Sequence, residues 1–158
     1  MTALWSSRTC LLLVLLIPAM ASAQAEVTDA SAALRRDYLE VSDWITRSAE
    51  LVPADQYAYR PVATVRTFGE LVGHVIDGYN YFCGRAAGRT MQWSDPVEKG
   101  VTTKAELVAA LRKATEECTV AYGAGPAGPL SSNIGHSSLH YGNMVTYIRM
   151  MGLVPPQS

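Results

Sequence analysis

Three histidines are the residues of this chain best suited to bind a metal ion. His136 and His140 lie four residues apart, and residues at this spacing share one face of an α-helix. His74, from an earlier segment, could complete a three-histidine set. Three protein nitrogens leave a coordination position open, which is typical of catalytic or ligand-binding metal sites and not of structural ones. The alternative is that the three are unrelated, two in a core and one on the surface.

Helical geometry supports the pair more strongly than the third ligand. At about 100° per residue, His140, Asn143 and Tyr147 all fall within about 40° of His136 on their helix. Asn143 and Tyr147 could hydrogen-bond a ligand of the metal, or they could complete buried polar networks. His74 lies at the edge of the apolar stripe of its own helix. That position suits a site near one end of a bundle, and equally an ordinary half-exposed histidine.

Two carboxylates flank His74 on its helix, and either could orient the ring through its second nitrogen. Asp77 follows His74 by three residues and Glu70 precedes it by four. The alternative is that both are solvent-facing helix charges, with Glu70 also capping the helix. By ligand type, three neutral imidazoles suit Zn, Ni, Fe or Cu about equally. The sequence therefore predicts a divalent metal without identifying it.

The histidines must be positioned by helices, because no segment alternates with the period of a β-strand. Apolar periodicity and end signals predict four helices, at about residues 29–51, 67–88, 103–123 and 132–151. Thr67 with Glu70 and Thr103 with Glu106 have the spacing of capping boxes. Ser132 or Asn133 could cap the fourth helix. We predict an all-α, four-helix bundle with long connections, the second of which contains Trp93, Asp95 and Pro96.

The N-terminus has the pattern of a secretory signal peptide. Arg8 precedes an apolar run from Cys10 to Ile17, and the small residues Ala21-Ser22-Ala23 predict cleavage before Gln24. An uncleaved membrane anchor is the competing interpretation. We expect residues 1–23 to be removed, which leaves 24–158 as one domain in the periplasm or outside the cell. No later stretch is apolar enough to cross a membrane, so no membrane association is expected after cleavage.

Charge and composition limit the classes of partner. The full chain has a net charge of −1, with thirteen basic and fourteen acidic residues. Without a basic cluster, a nucleic-acid partner is not expected, and a small-molecule ligand or substrate remains. Trp44 or Trp93 could form a homodimer contact, or could cover loops of the bundle itself.

Two cysteines remain after the predicted export, and an oxidising compartment would permit a bridge between them. Cys83 and Cys118 each fall late in a predicted helix, so they could meet if those helix ends do. The alternative is two small buried apolar residues.

Longer motifs resemble a known family. The strings YRPVATVRTFGELVGHVIDGYNYFC, TKAELVAALRKATEEC and HSSLHYGNMVTYIRMMGLVPP are similar to the DinB/YfiT-like superfamily of metal-dependent proteins. The likeness as a whole extends from about residue 30 to residue 156. The resemblance implies a four-helix bundle with a divalent metal at one end. It also implies that the ligands are His74, His136 and His140.

The resemblance leaves three classes of function open. The protein could be a metal-dependent transferase or hydrolase, a non-catalytic metal or small-ligand binding module, or a bundle that the metal only stabilises. A transferase would need an activated thiol, and such cofactors are scarce outside the cytosol. For hydrolysis, HSSLH lacks the adjacent glutamate of HExxH. An open three-histidine site disfavours the purely structural role.

Overall fold

A computed structural model describes residues 17–157, with side chains described from residue 30 onward. Within that range the chain forms helices and no strand, which confirms the all-α prediction. We number the α-helices in chain order, and a single 3₁₀ turn lies at Ala54–Gln56. The helices are α1 (Ile17–Leu51), α2 (Phe68–Ala86), α3 (Pro96–Gly100), α4 (Lys104–Ala124) and α5 (Ala127–Met150). The four long helices form the bundle, and α3 packs on α2.

Helix α1 begins at Ile17, earlier than the predicted start near Asp29. The predicted cleavage site before Gln24 lies inside its length, while residues 1–16 of the predicted signal peptide lie outside the described residues. Cleavage therefore stays a prediction. Among the described helices, none is both long enough and apolar enough to cross a membrane.

The core forms where the predicted apolar stripes meet. Tyr38, Val41 and Ile45, which recur at helical spacing along α1, are buried in it. Helix α2 is the central element because α3, α4 and α5 all pack against it, so it is buried on nearly every side. Full burial of a large apolar side chain stabilises the fold by about 1.5–3 kcal/mol. This enclosure on most sides explains why His74, at the edge of the apolar stripe, is also buried.

Helix ends agree with the sequence at α2 and less well at α4. The capping box of Thr67 and Glu70 is complete, with each side chain bonded to the other residue's backbone amide. At α4, the Thr103 hydroxyl accepts from the Glu106 amide, but the Glu106 carboxylate bonds the same hydroxyl instead of the Thr103 amide. The second box is therefore half formed.

The predicted start of the last helix at Ser132 or Asn133 is wrong. Helix α5 begins at Ala127, directly after Pro126, because proline is tolerated beside and within a first helical turn, where amides need no intrahelical partner. Asn133 is fully buried inside the helix, where its amide donates to the Tyr122 hydroxyl at 3.2 Å. It joins α4 to α5 and caps nothing.

The structure joins Cys83 of α2 to Cys118 of α4 as a disulfide, with a Cα–Cα distance of 5.2 Å. That distance lies within the range that a disulfide requires. The two helices that the bridge connects also pack against each other along their length.

Candidate functional site

The three histidines lie together between α2 and α5. His136 and His140 have ring centroids 4.4 Å apart, and His74 lies 5.1 Å from the first and 4.7 Å from the second. One ring nitrogen from each falls within 4.8 Å of the others. His74 and His140 are buried, and His136 is partly buried. The structure thus brings together the three residues that the sequence selected.

Two glycines of α2 allow this close packing. A Cβ at Gly78 would lie 2.4 Å from Cε1 of His136, so the imidazole occupies the space that a side chain would need. A Cβ at Gly73 would lie 2.7 Å from Cα of Glu98, because the backbone of α3 rests directly on α2 there. Gly73, which precedes His74, leaves room for the backbone of α3, and Gly78, which follows it, leaves room for the ring of His136.

Helix α3 was not predicted, and it supplies the partner of His74. Nδ1 of His74 lies 2.8 Å from Oε2 of Glu98. A carboxylate can only accept, so Nδ1 carries the proton and Nε2 presents its lone pair. Asp95 is more distant, with Oδ1 at 3.6 Å from Nδ1. Glu98 is therefore the residue that orients His74, in the arrangement common behind metal-binding histidines.

Asp77 neither orients His74 nor faces solvent, the two roles considered for it. Its buried carboxylate accepts from the backbone amides of Val97 and Glu98, the latter at 2.9 Å. Asp77 caps α3 from the neighbouring helix. It takes the place of Asp95, which lies at the α3 N-terminus and makes no capping bond. Burial raises the pKa of the Asp77 carboxyl, and the two amide bonds oppose that shift. Asp77 thus holds Glu98 in place indirectly. Glu70 caps α2, as described above.

Trp93 covers the histidines on the side of the second connection. Its ring centroid lies 5.4 Å from that of His74 and 5.5 Å from that of His136, and its indole N–H donates to Asp95. Trp44 packs against Tyr141 at 5.3 Å. Both tryptophans therefore cover their own chain, and a homodimer stays a prediction.

Two of the three histidines favour the neutral imidazole. Burial, with smaller contributions from the neighbouring histidines and Arg66, lowers the pKa of His136 to about 3. Burial lowers the pKa of His140 to about 4, again with help from His74 and Arg66. Both rings are therefore uncharged at pH 7, which is the form that binds a metal.

The donor set fits a divalent ion. Nε2 of His136 lies 3.2 Å from Nε2 of His74, close to the edge of roughly 3.3 Å between two nitrogens around a tetrahedral ion with bonds of about 2.0–2.1 Å. Nδ1 of His136 is buried without a partner among the described residues. A cation would engage the two Nε2 atoms that face one another, whereas Nδ1 of His136 lies against Gly78 of α2. The buried three-histidine group is therefore compatible with metal binding.

A cleft of about 530 Å³ adjoins His140. Asn143 and Tyr147 both line it, but neither makes a short hydrogen bond to a histidine. The Asn143 amide lies 3.5 Å from Nδ1 of His140, at the long limit of a hydrogen bond. The Tyr147 hydroxyl donates to the backbone carbonyl of Arg66 at 3.0 Å. Tyr147 therefore fixes the connection before α2, and that connection forms one wall of the cleft.

Glu98 and Arg66 are the site residues that sequence reasoning missed. The Arg66 Nε donates to Oε1 of Glu98 at 2.8 Å, so one carboxylate contacts both His74 and a cleft arginine. Asp95-Pro96 is a helix-start signal that could have predicted α3. Nothing in the local sequence indicates that Glu98 would meet His74.

Comparison with known proteins agrees with the geometry. The family model of the DinB superfamily matches residues 39–154, a range that contains all three histidines and Glu98. No individually curated protein matches the chain. Because this match covers well over half of the chain, the chain belongs to the DinB superfamily.

Proposed function

We propose that the protein binds one divalent metal ion, Zn, Ni, Fe or Cu, through His74, His136 and His140, and acts on a small molecule in the adjoining cleft. The observation that carries this proposal is the approach of two Nε2 atoms to 3.2 Å. A proton on Nε2 of His136 would satisfy this contact as a hydrogen bond, whereas a metal ion would satisfy it and also engage His140, whose ring nitrogen lies within 4.8 Å of the other two.

The surrounding residues support a site that is already formed before the metal binds. Glu98 fixes the tautomer of His74, and Gly78 leaves room for the ring of His136. His136 and His140 are uncharged at pH 7 and need no deprotonation, and ligands that are already oriented need little reorganisation, which favours metal binding. Support of this kind from outer residues typically contributes 10- to 100-fold in metal affinity.

The cleft favours a ligand-binding or catalytic role over a purely structural one. A bound divalent ion would act as a Lewis acid and lower the pKa of a water or thiol in its open position. The chain itself would bind and orient the small molecule between His140 and the connection that contains Arg66. Two reaction classes fit, group transfer to a thiol and hydrolysis. Non-catalytic binding of a small ligand is the alternative, and turnover of a thiol conjugate or an ester distinguishes it.

Metal content of tag-free protein tests the site. We expect about one equivalent of metal per wild-type chain and severe loss of affinity in His74→Ala, His136→Ala or His140→Ala. Ser138→Ala is the matched control, because Ser138 is exposed on α5 between the two histidines. Wild-type affinity in His74→Ala would show that the third ligand lies elsewhere.

We also propose export, with residues 1–23 removed. The intact mass of protein from the native host should then begin at Gln24. A mass that includes Met1 to Ala23 would contradict cleavage.

A further inference from the structure

We infer that the cleft takes a small molecule with a carboxylate group, which Arg66 binds while another atom of the same molecule reaches the metal. This inference rests on the proposed metal site and goes beyond it by assigning the chemical class of the ligand. Arg66 would be a binding residue that determines specificity.

Arg66 is held at both its backbone and its side chain. The Tyr147 hydroxyl bonds its carbonyl oxygen at 3.0 Å, and Oε1 of Glu98 accepts from its Nε at 2.8 Å. In the described part of the chain, no hydrogen bond joins its two Nη groups to another residue. The side chain is 40% exposed and lines the cleft. The guanidinium, anchored through Nε, therefore keeps its two Nη groups without a protein partner beside the cleft, and two such parallel donors match the two oxygens of a carboxylate.

The charges of the cleft also favour an anion. Its charged lining residues are Arg66 and Glu98, and both oxygens of Glu98 are already engaged by Arg66 and His74. Arg60 lies on the same connection, but it is bonded to Glu70 and to the carbonyl oxygens of Ala63 and Val65. Among the described residues that line the cleft, Arg66 is thus the positively charged side chain whose Nη donors make no hydrogen bond within the protein.

The position of Arg66 relative to the histidines sets the size of the ligand. Glu98 bridges Arg66 and His74 with two contacts of 2.8 Å, so the arginine and the proposed metal are separated by little more than one carboxylate and one imidazole. The lining of the cleft includes the apolar residues Pro61, Val62 and Leu71. A short ligand with an apolar middle, a carboxylate at one end and a metal-binding atom at the other fits this arrangement.

Two thiols that differ only at one end provide the test. Tag-free protein is loaded with Co(II), and the cobalt affinity is measured first. The protein is then titrated with 4-mercaptobutyrate and with 4-mercaptobutan-1-ol, following the thiolate-to-cobalt absorption. Both thiols can bind the metal, and the chain is too long for a favourable chelate ring. We expect the carboxylate to bind about 10- to 100-fold more tightly, the range of a charge-assisted hydrogen-bond pair.

Variants assign the preference to Arg66. In Arg66→Gln the ratio of the two dissociation constants should fall to near one. In Arg112→Gln, which removes a surface positive charge paired with Glu50, the ratio should stay at the wild-type value. A wild-type ratio near one, or a ratio unchanged in Arg66→Gln, would overturn the inference. Failure of wild-type protein to bind cobalt would instead overturn the proposed metal site, and the inference with it, before any thiol is added.

Discussion

Replacement of Glu98 tests whether the unpredicted helix α3 supports the metal site. Glu98→Gln keeps the size of the side chain and an acceptor oxygen but removes the charge. In the wild-type protein, the Glu98 carboxylate accepts from Nδ1 of His74 at 2.8 Å, which leaves Nε2 as the ligand atom. The amide would accept a weaker bond, or would turn its NH₂ group toward Nδ1 and favour the wrong tautomer. Either outcome weakens metal binding.

The magnitude follows from the burial of the pair. The side chains of His74 and Glu98 are 11% and 15% exposed, so water screens their interaction little. A hydrogen bond to a charged group contributes about 1.5–3 kcal/mol and a neutral one about 0.5–1.5 kcal/mol. The difference of roughly 1–1.5 kcal/mol corresponds to about a tenfold loss of metal affinity in Glu98→Gln. Glu98→Ala removes the whole bond, and its loss should approach a hundredfold.

Competition against a chelator of known affinity, with tag-free protein at pH 7, measures both losses. Glu117→Gln is the matched control, because Glu117 pairs with Lys113 on the surface of α4 and its removal changes the net charge equally. Melting temperatures of the metal-free proteins show whether each variant still folds. Wild-type metal affinity in both Glu98 variants would refute the argument that this carboxylate orients His74.

Three further predictions concern the packing, the pH dependence and the disulfide. Gly78→Ala should displace the ring of His136 and lower metal affinity, because the alanine Cβ would lie 2.4 Å from Cε1 of that ring. Gly142→Ala is the control, because the helix surface is open there. It should leave metal affinity unchanged in the same chelator competition. Metal-free protein should lose stability as pH falls from about 6.5 toward 3, because the lowered pKa of His136 means that the unfolded chain binds more protons in this range. Thermal melts at pH 7, 5.5 and 4.5 measure the slope, which should be smaller in His136→Gln; an identical slope would contradict it. Reduction of the Cys83–Cys118 bridge, which closes a loop of 35 residues, should cost about 3–4 kcal/mol of unfolding free energy. Denaturant melts with and without reductant measure this cost, and two free thiols in unfolded, unreduced protein would exclude the bridge.

The sequence predicted those parts of the fold that depend on local periodicity. The four long helices carry apolar stripes over many turns, so Tyr38, Ile45 and Tyr79 could be placed in the core before the structure was known. The start of α5 was wrong because Pro126 and its neighbours were interpreted as a loop, although prolines are compatible with a first helical turn. Asparagine is a residue type common at helix N-caps, but Asn133 lies inside α5 and is buried in the core.

The metal-ligand candidates were predictable and their support was not. His136 and His140 follow from spacing along one helix, and the resemblance strengthened the proposal of His74 as the third ligand. The five-residue helix α3 is too short to show a periodic pattern. Its N-terminal amides are capped by Asp77 from another helix, a contact that no local signal encodes.

Helix α3 connects the histidines to the cleft through a single side chain. Gly73 lets its backbone rest on α2, and Asp77 fixes its N-terminal amides. Glu98 is thereby held with one oxygen on His74 and the other on Arg66. Because one carboxylate serves both partners, a ligand that draws the Arg66 guanidinium toward itself changes the charge that His74 experiences. If the histidines bind a metal and the cleft binds an anion, as we propose, the two affinities would be linked, and by thermodynamic reciprocity each ligand would alter the affinity for the other by the same factor.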